Sequence, residues 1–137
     1  MNRIKAVIKS VESSDSISLV ELETAAGKMS AVVVETPDSA DYLKTGREVY
    51  ILFKETEVSI GKDFSGRISL RNRFDCTVLT VERGKILSRI VMDCKGERIV
   101  SIITTRSVES LELKEGDRVT ALVKTNEVSL LEMDGNV

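Results

Sequence analysis

The sequence has no histidine, no tryptophan, one proline and two cysteines among its 137 residues. The absence of histidine removes the most common general base and a principal ligand of transition metals. Two cysteines are too few for a structural zinc site, and a cysteine nucleophile would lack its usual imidazole partner. We therefore expect a protein that is not an enzyme and that holds no metal cation.

Long apolar segments are also absent from the sequence. No run approaches the roughly 18 residues of a membrane-spanning helix. The N-terminal MNRIKAVIKSV has neither the apolar core nor the cleavage site of a signal peptide. These absences predict a cytoplasmic protein with no membrane partner. In that compartment we expect Cys76 and Cys94 to be buried, reduced thiols rather than a disulfide.

Aromatic residues and net positive charge are scarce as well. Aromatic side chains make up 4% of the chain, and 20 basic residues face 22 acidic ones, for a formal net charge of −2. Proteins that bind single-stranded nucleic acid use stacking aromatics and a basic groove. We therefore expect no nucleic-acid partner. A single-stranded nucleic-acid module stays open as an alternative function, because small β-barrels often do that work.

The strongest positive signal is an internal repeat. The segments LKTGREVYILFKETEVSI (43–60) and LKEGDRVTALVKTNEVSL (113–130) are identical at nine of 18 positions, at a constant offset of 70. The repeat predicts two units, residues 1–62 and 67–137. Residues 63–66, within the polar and glycine-containing GKDFSG, form the predicted linker.

Each unit has the residue pattern of a small β-barrel. REVYILF and DRVTALV alternate with period two, and KMSAVVV and ERIVSII are rich in β-branched residues. One helix is predicted in each unit: in the first it begins with Thr36 and Pro37 and stops at Gly46, and in the second it ends at Gly116. The predicted fold class is mainly β, with two tandem small OB-like barrels, each of about five strands and one short helix. Units of this size are marginal alone, which predicts a homo-oligomer.

Three motifs then resemble those of a known family. ISLRNRF (68–74) contains Ser-x-Arg-Asn at the start of a strand, followed by a Thr-x-x-Ser helix entry and a Lys-x-x-x-Val-x-Leu pattern in the last strand. This combination resembles the Mop domain, the molybdate-binding module of molbindins and of molybdate-dependent regulators, which is related to the TOBE domain of transport ATPases. The resemblance covers nearly the whole chain as a tandem, di-Mop arrangement. SLRN stands where the family more usually has Ser-Ala-Arg-Asn.

The resemblance implies a cytoplasmic protein that binds molybdate or tungstate between packed subunits, for storage, buffering or sensing. It implies no organic cofactor, and the family suggests trimers of tandem chains. Carried over by position, the oxyanion site belongs to the second unit and comprises Ser69, Leu70 through its backbone, Arg71, Thr104, Ser107, Lys124 and Thr125 through its backbone. Asn72 and Lys54 are secondary candidates, and we expect Asn72 to make local backbone hydrogen bonds.

The chemistry of these side chains suits a tetrahedral dianion. Arg71 offers a rigid fork of donors and Lys124 a point charge. The hydroxyl groups of Ser69, Thr104 and Ser107 can all donate, and the last two flank a predicted helix N-terminus. Each residue also has a plainer interpretation, as a helix cap, an edge-strand charge or a solvated strand end. A structural interaction domain with a decayed site is therefore a further alternative.

The first unit departs from this pattern. Met1 stands where the second unit has Arg71, and Glu35 and Asp38 align with its helix-entry hydroxyl groups. Only Lys54 is retained. Because carboxylates repel an anion and do not donate when ionised, we expect the site of the first unit to be degenerate.

Overall fold

The computed structural model describes residues 1–133. Ten strands, one α-helix and two short 3-10 turns follow one another along this part of the chain. In chain order they are β1 (Asn2–Ser14), β2 (Ile17–Thr24), β3 (Gly27–Val33), β4 (Glu48–Phe53), the 3-10 turn Glu55–Glu57, β5 (Ser59–Gly61), β6 (Asn72–Arg83), β7 (Leu87–Cys94), β8 (Glu97–Thr104), α1 (Thr105–Leu111), β9 (Arg118–Val123), the 3-10 turn Thr125–Glu127 and β10 (Ser129–Glu132).

The strands form two five-stranded antiparallel sheets, one for each repeat. The first has the order β10-β4-β1-β2-β3 and the second the order β5-β9-β6-β7-β8. The predicted fold class, mainly β with tandem small barrels, is confirmed. Within the described residues, no helix is long and apolar enough to cross a membrane.

The two sheets exchange their shortest strands. β5 comes from the first repeat but pairs with β9 of the second sheet, with Ile60 opposite Ala121. β10 comes from the second repeat but pairs with β4 of the first sheet, with Leu130 opposite Ile51. Each sheet therefore contains residues of both repeats. The bounds 1–62, 63–66 and 67–137 stay a prediction about units of sequence, and residues 134–137 lie outside the described part of the chain.

Alternation along the long strands produces one continuous apolar core. In β1, Ile4, Ala6 and Ile8 point inward, and β6 repeats this pattern with Phe74 in the place of Ile4. The buried side chains of the two units belong to a single cluster. Because burial of apolar surface is the main stabilising term, this shared core favours folding of both units together.

The predicted helix is present in the second unit and absent from the first. α1 begins after Thr104 as predicted, but it ends at Leu111 and not at Gly116, and its C-cap Glu112 adopts a left-handed conformation (φ 51°). Within the described residues 34–47 there is no helix, so the prediction for Thr36–Gly46 is wrong. There the Ser39 hydroxyl bonds both the N–H and the C=O of Thr36. The Ala40 N–H also donates to Thr36 C=O at 2.9 Å, but the chain continues as turns.

The expectation of reduced thiols is also wrong. Cys76 of β6 and Cys94 of β7 form a disulfide, with their Cα atoms 4.2 Å apart. Thr77 pairs with Asp93, which makes Cys76 and Cys94 the next opposed pair on these strands. Opposed residues on antiparallel strands lie close enough to be bridged. The expected compartment favours free thiols, whereas the strand register places the two cysteines side by side.

Candidate functional site

Two strand ends bring the predicted cations together. Asn72, the first residue of β6, pairs with Val123, the last residue of β9. Arg71 therefore precedes one strand and Lys124 follows its neighbour at the same end of the sheet. Both side chains are exposed, as is Ser69. This end of the second sheet presents a guanidinium, an ammonium and a hydroxyl group to solvent.

Backbone geometry favours anion contact at the same sheet end. Lys124 has an extended conformation (φ −73°, ψ 143°) and directly precedes the 3-10 turn Thr125–Glu127. The Lys124 C=O accepts a hydrogen bond from Glu127 N at 3.0 Å. The first N–H groups of such a turn are not used within it, which leaves Thr125 N–H available to a ligand. Leu70, half-buried, lies between Ser69 and Arg71 just before β6.

The predicted hydroxyl pair lies elsewhere on the second unit. Thr104 ends β8 and pairs with Leu87, at the start of β7 and next to the far end of β6. Its Oγ1 accepts from Ser107 N at 3.1 Å and lies 2.9 Å from Ser107 Oγ. The capping interpretation of these residues is thus realised in the structure. Among the described residues, no hydrogen bond or ion pair links this hydroxyl pair to Arg71 or Lys124.

Asn72 has a different role from the one expected. It is fully buried, and its side-chain Oδ1 accepts from Ser30 N at 2.7 Å while its Nδ2 donates to Ser30 O at 2.9 Å. Ser30 belongs to β3 of the first unit, so the expectation of local backbone bonds is wrong. The clamp fixes the start of β6, and with it Arg71, against the other unit.

An ion pair also attaches Arg71 to the first unit. Its Nη2 lies 3.7 Å from Oε1 of Glu21 on β2. The other oxygen of that carboxylate accepts a 2.7 Å hydrogen bond from Ser30 Oγ. Sequence reasoning missed both Glu21 and Ser30, because no local signal connects residues some 40 to 50 positions apart. Only the packing of the two units brings them to Arg71.

The corresponding sheet end of the first unit is rich in carboxylates. Lys54 lines a surface cavity of about 270 Å³ with Met1, Glu57 and Glu127 among its neighbours. The Met1 ammonium lies 3.3 Å from Glu55. A hydrogen bond with the Glu57 carboxyl group, then desolvation and the charge of Glu57, raise the pKa of Glu127 above its usual range, and the nearby charge of Lys124 partly opposes this rise. An anion would meet negative charge here.

Strand register changes one detail of the repeat alignment. Val33 pairs with Ser18, and the equivalent Ile103 pairs with Ser88. The residue after Ile103 is Thr104, so its counterpart in the first unit is Val34 rather than Glu35. Glu35 instead accepts a hydrogen bond from the Tyr42 hydroxyl. Burial, followed by that bond and the Glu35 charge, raises the pKa of Tyr42 above its usual range. The first unit has no hydroxyl group at the Thr104 position under either alignment.

The comparison with protein families tests the resemblance that was drawn from the sequence. The family model named TOBE domain matches residues 1–60 and 68–130. The chain belongs to the TOBE domain family. The resemblance to Mop and TOBE modules is therefore confirmed, and it applies to both units.

Solved structures and curated relatives place these TOBE units among molybdenum proteins. A structure of the cytoplasmic molybdate-binding protein ModG, with molybdate bound, superposes with a TM-score of 0.90 at 30% identity and covers 96% of each chain. The molybdenum transport protein ModE of Herbaspirillum seropedicae is 31% identical over 90% of this chain and 47% of its own length. Molybdenum-pterin-binding protein 3 of Clostridium pasteurianum is 35% identical over 47% of this chain and 96% of its own length.

Other relatives are much longer than the present chain. The molybdenum import ATP-binding protein ModC of Brucella abortus is 37% identical over 83 residues. The match covers 60% of this chain but only 23% of ModC. The chain thus spans about half of the ModE protein and about a quarter of ModC. These matches concern the TOBE units and not the remaining parts of those proteins.

Proposed function

We propose that the chain is a cytoplasmic oxyanion-binding protein whose ligand is molybdate. The observation that carries this proposal is the placement of Arg71 and Lys124 at one sheet end, in a chain that superposes on molybdate-bound ModG along 96% of its length. Two cations balance a tetrahedral dianion, and the guanidinium supplies paired donors. Tungstate has the same charge and shape, so these donors accept it as well.

The proposed site combines residues of neighbouring copies. Arg71, Lys124, Ser69 and the backbone at Leu70 and Thr125 come from one copy. Thr104 and Ser107 come from the next. Two observations support this arrangement. Among residues 1–133, no hydrogen bond or ion pair joins the hydroxyl pair to the two cations. Small units with exposed strand edges also favour assembly. The family suggests a trimer of tandem chains. The role is storage, buffering or sensing of the oxyanion.

Calorimetric titration with molybdate, tungstate, sulfate and phosphate tests the proposal, with native mass measured alongside. We expect molybdate and tungstate to bind with a stoichiometry matching the number of copies, and sulfate and phosphate to bind more weakly. Because a ligand that binds only the assembled state stabilises it by mass action, molybdate should also raise the melting temperature. A protein that remains a 15.1 kDa monomer and binds none of the four anions would refute the proposal. Binding of single-stranded nucleic acid in parallel assays would favour the alternative function.

A further inference from the structure

Glu21 is the acidic neighbour of Arg71, and its position is fixed. Glu21 and Ser30 are opposed on β2 and β3, and the Ser30 hydroxyl donates to Glu21 Oε2 at 2.7 Å. Ser30 is only 4% exposed, and Asn72 binds its backbone on both polar atoms. The consecutive residues Arg71 and Asn72 therefore contact one opposed pair of the first unit. Arg71 lies beside the Glu21 carboxylate, and Asn72 binds the Ser30 backbone.

The contact between Glu21 and Arg71 is long and exposed to solvent. The carboxylate oxygen Oε1 lies 3.7 Å from the guanidinium, and the Arg71 side chain is 64% exposed. An exposed ion pair with this geometry adds little to stability. It does, however, place a negative charge beside the guanidinium that an oxyanion would use. A carboxylate and a tetrahedral oxyanion compete for the same guanidinium N–H groups.

We propose that Glu21 is an affinity-determining residue of the oxyanion site, where its carboxylate acts as a resident anion on Arg71. In the structure the Glu21 carboxylate forms an ion pair with the guanidinium at 3.7 Å. When an oxyanion binds, it displaces the carboxylate, which keeps its bond to Ser30. This inference rests on the proposed function of the Arg71 site. The tethered carboxylate lowers affinity for every anion, so that weakly bound anions do not fill the site.

The repeat shows that this pair is not a general feature of the fold. At the same offset of 70, the first unit has Met1 in place of Arg71, and the second unit has Val91 in place of Glu21. The repeat-related positions Met1 and Val91 therefore cannot form the same ion pair.

The test compares two substitutions that remove the same charge. Glu21→Gln removes the resident anion. Glu23→Gln removes an exposed carboxylate two residues along the same strand, which has no ion pair among residues 1–133. In calorimetric titrations with sodium molybdate and sodium sulfate, we expect Glu21→Gln to bind both anions about 2- to 10-fold more tightly. Glu23→Gln should match the wild type. Added sodium chloride should reduce the gain, because salt screens exposed charges.

A third variant tests how the carboxylate is held. Ser30→Ala deletes the hydroxyl that fixes Glu21 but leaves the backbone atoms that Asn72 binds. Its gain in affinity should have the same direction as that of Glu21→Gln and be smaller. A Glu21→Gln protein that binds molybdate no better than the wild type would overturn the inference. An equal gain in Glu23→Gln would also overturn it, since the effect would then be one of overall charge.

A measurement without ligand separates this inference from the proposed function. The NMR signal of the Arg71 Nε–H group should shift in Glu21→Gln and stay in place in Glu23→Gln. If the wild type binds molybdate and Glu21→Gln equals it, only the role of Glu21 is refuted. If neither protein binds molybdate, the proposed function and this inference both fall.

Discussion

Asn2 and Asn72 make the same pair of hydrogen bonds, each with the backbone of the opposite unit. Asn2 bonds the N–H and the C=O of Val100, both at 2.8 Å, and Asn72 does the same with Ser30 at 2.7 and 2.9 Å. The two asparagines are 70 positions apart, and so are their partners. The repeat therefore produces a symmetric clamp between the units. In the second unit this clamp also positions Arg71.

Loss of the Asn72 clamp should destabilise the protein. Asn72→Ala leaves the N–H and the C=O of Ser30 buried without partners, which we expect to cost about 2–5 kcal/mol in the free energy of unfolding. Asn2→Ala should cost a similar amount through Val100. Urea denaturation measures both, with Asn126→Ala as the control because Asn126 is exposed. A loss below about 1 kcal/mol for Asn72→Ala would show that the clamp contributes little.

The two repeats should differ in their contribution to anion binding. Arg71→Ala removes a charge-assisted donor pair from the site and should weaken molybdate binding by some 30-fold to several thousand-fold, from a loss of roughly 2–5 kcal/mol. Lys124→Ala should have a comparable effect. Lys54→Ala should do much less, because Lys54 shares its cavity with Glu57 and Glu127.

Titration of these three variants at fixed ionic strength checks this asymmetry, once each is shown to keep the wild-type mass in solution. Equal losses for Lys54→Ala and Lys124→Ala would mean that the repeats contribute equally. The assignment of the site to the second unit would then be wrong.

Reduction of the disulfide should lower stability without changing the fold. Cys76 and Cys94 are separated by 18 positions, and a link closing a loop of that size contributes roughly 3 kcal/mol. In the first unit Ala6 and Thr24 are opposed at the same strand positions and have no link, so the barrel forms without one. We expect dithiothreitol to lower the denaturation midpoint and leave the circular dichroism spectrum unchanged. The double variant Cys76→Ala/Cys94→Ala should not respond to dithiothreitol. A wild-type midpoint insensitive to dithiothreitol would contradict the disulfide.

The carboxyl pair Glu57–Glu127 should make stability depend on pH. Because the pKa of Glu127 is raised in the folded state, folding favours its protonated form. The stability that the protonated Glu127 contributes is fully present below the ordinary glutamate pKa. It is lost as pH rises through the raised pKa of the folded state. Glu127→Gln should therefore melt at a higher temperature than the wild type at pH 7 and lose this advantage below about pH 4. Glu12→Gln, at an exposed position, is the control. An equal rise in melting temperature for Glu127→Gln at pH 7 and below about pH 4 would contradict the interaction between Glu57 and Glu127.

Features encoded by neighbouring residues could be predicted from the sequence. The alternation in REVYILF and DRVTALV corresponds to β4 and β9, and Thr104 caps α1 as its Thr-x-x-Ser spacing indicates. The offset of 70 correctly anticipated two similar sheets. Arg71 and Lys124 were assigned to one site by resemblance. That the two share one sheet end follows from the pairing of Asn72 with Val123.

Features that depend on long-range pairing could not be predicted. VSI (58–60) and VSL (128–130) are almost the same, so their sequences do not indicate that each joins the sheet of the other repeat. The disulfide depends on the register of β6 with β7, and the partner of Asn72 depends on how the units pack. Residues 36–46 form turns in place of the predicted helix, although Thr36 and Ser39 make the local bonds of a helix start.

Crystals grown with molybdate provide the most direct test of the proposed site, through anomalous diffraction at the molybdenum absorption edge. The account predicts a strong peak within hydrogen-bonding distance of Arg71 and Lys124 of one copy and of Thr104 and Ser107 of its neighbour. It predicts no such peak beside Lys54. An absence of bound molybdenum in crystals soaked well above micromolar molybdate, or peaks only at the sheet end of the first unit, would contradict the account.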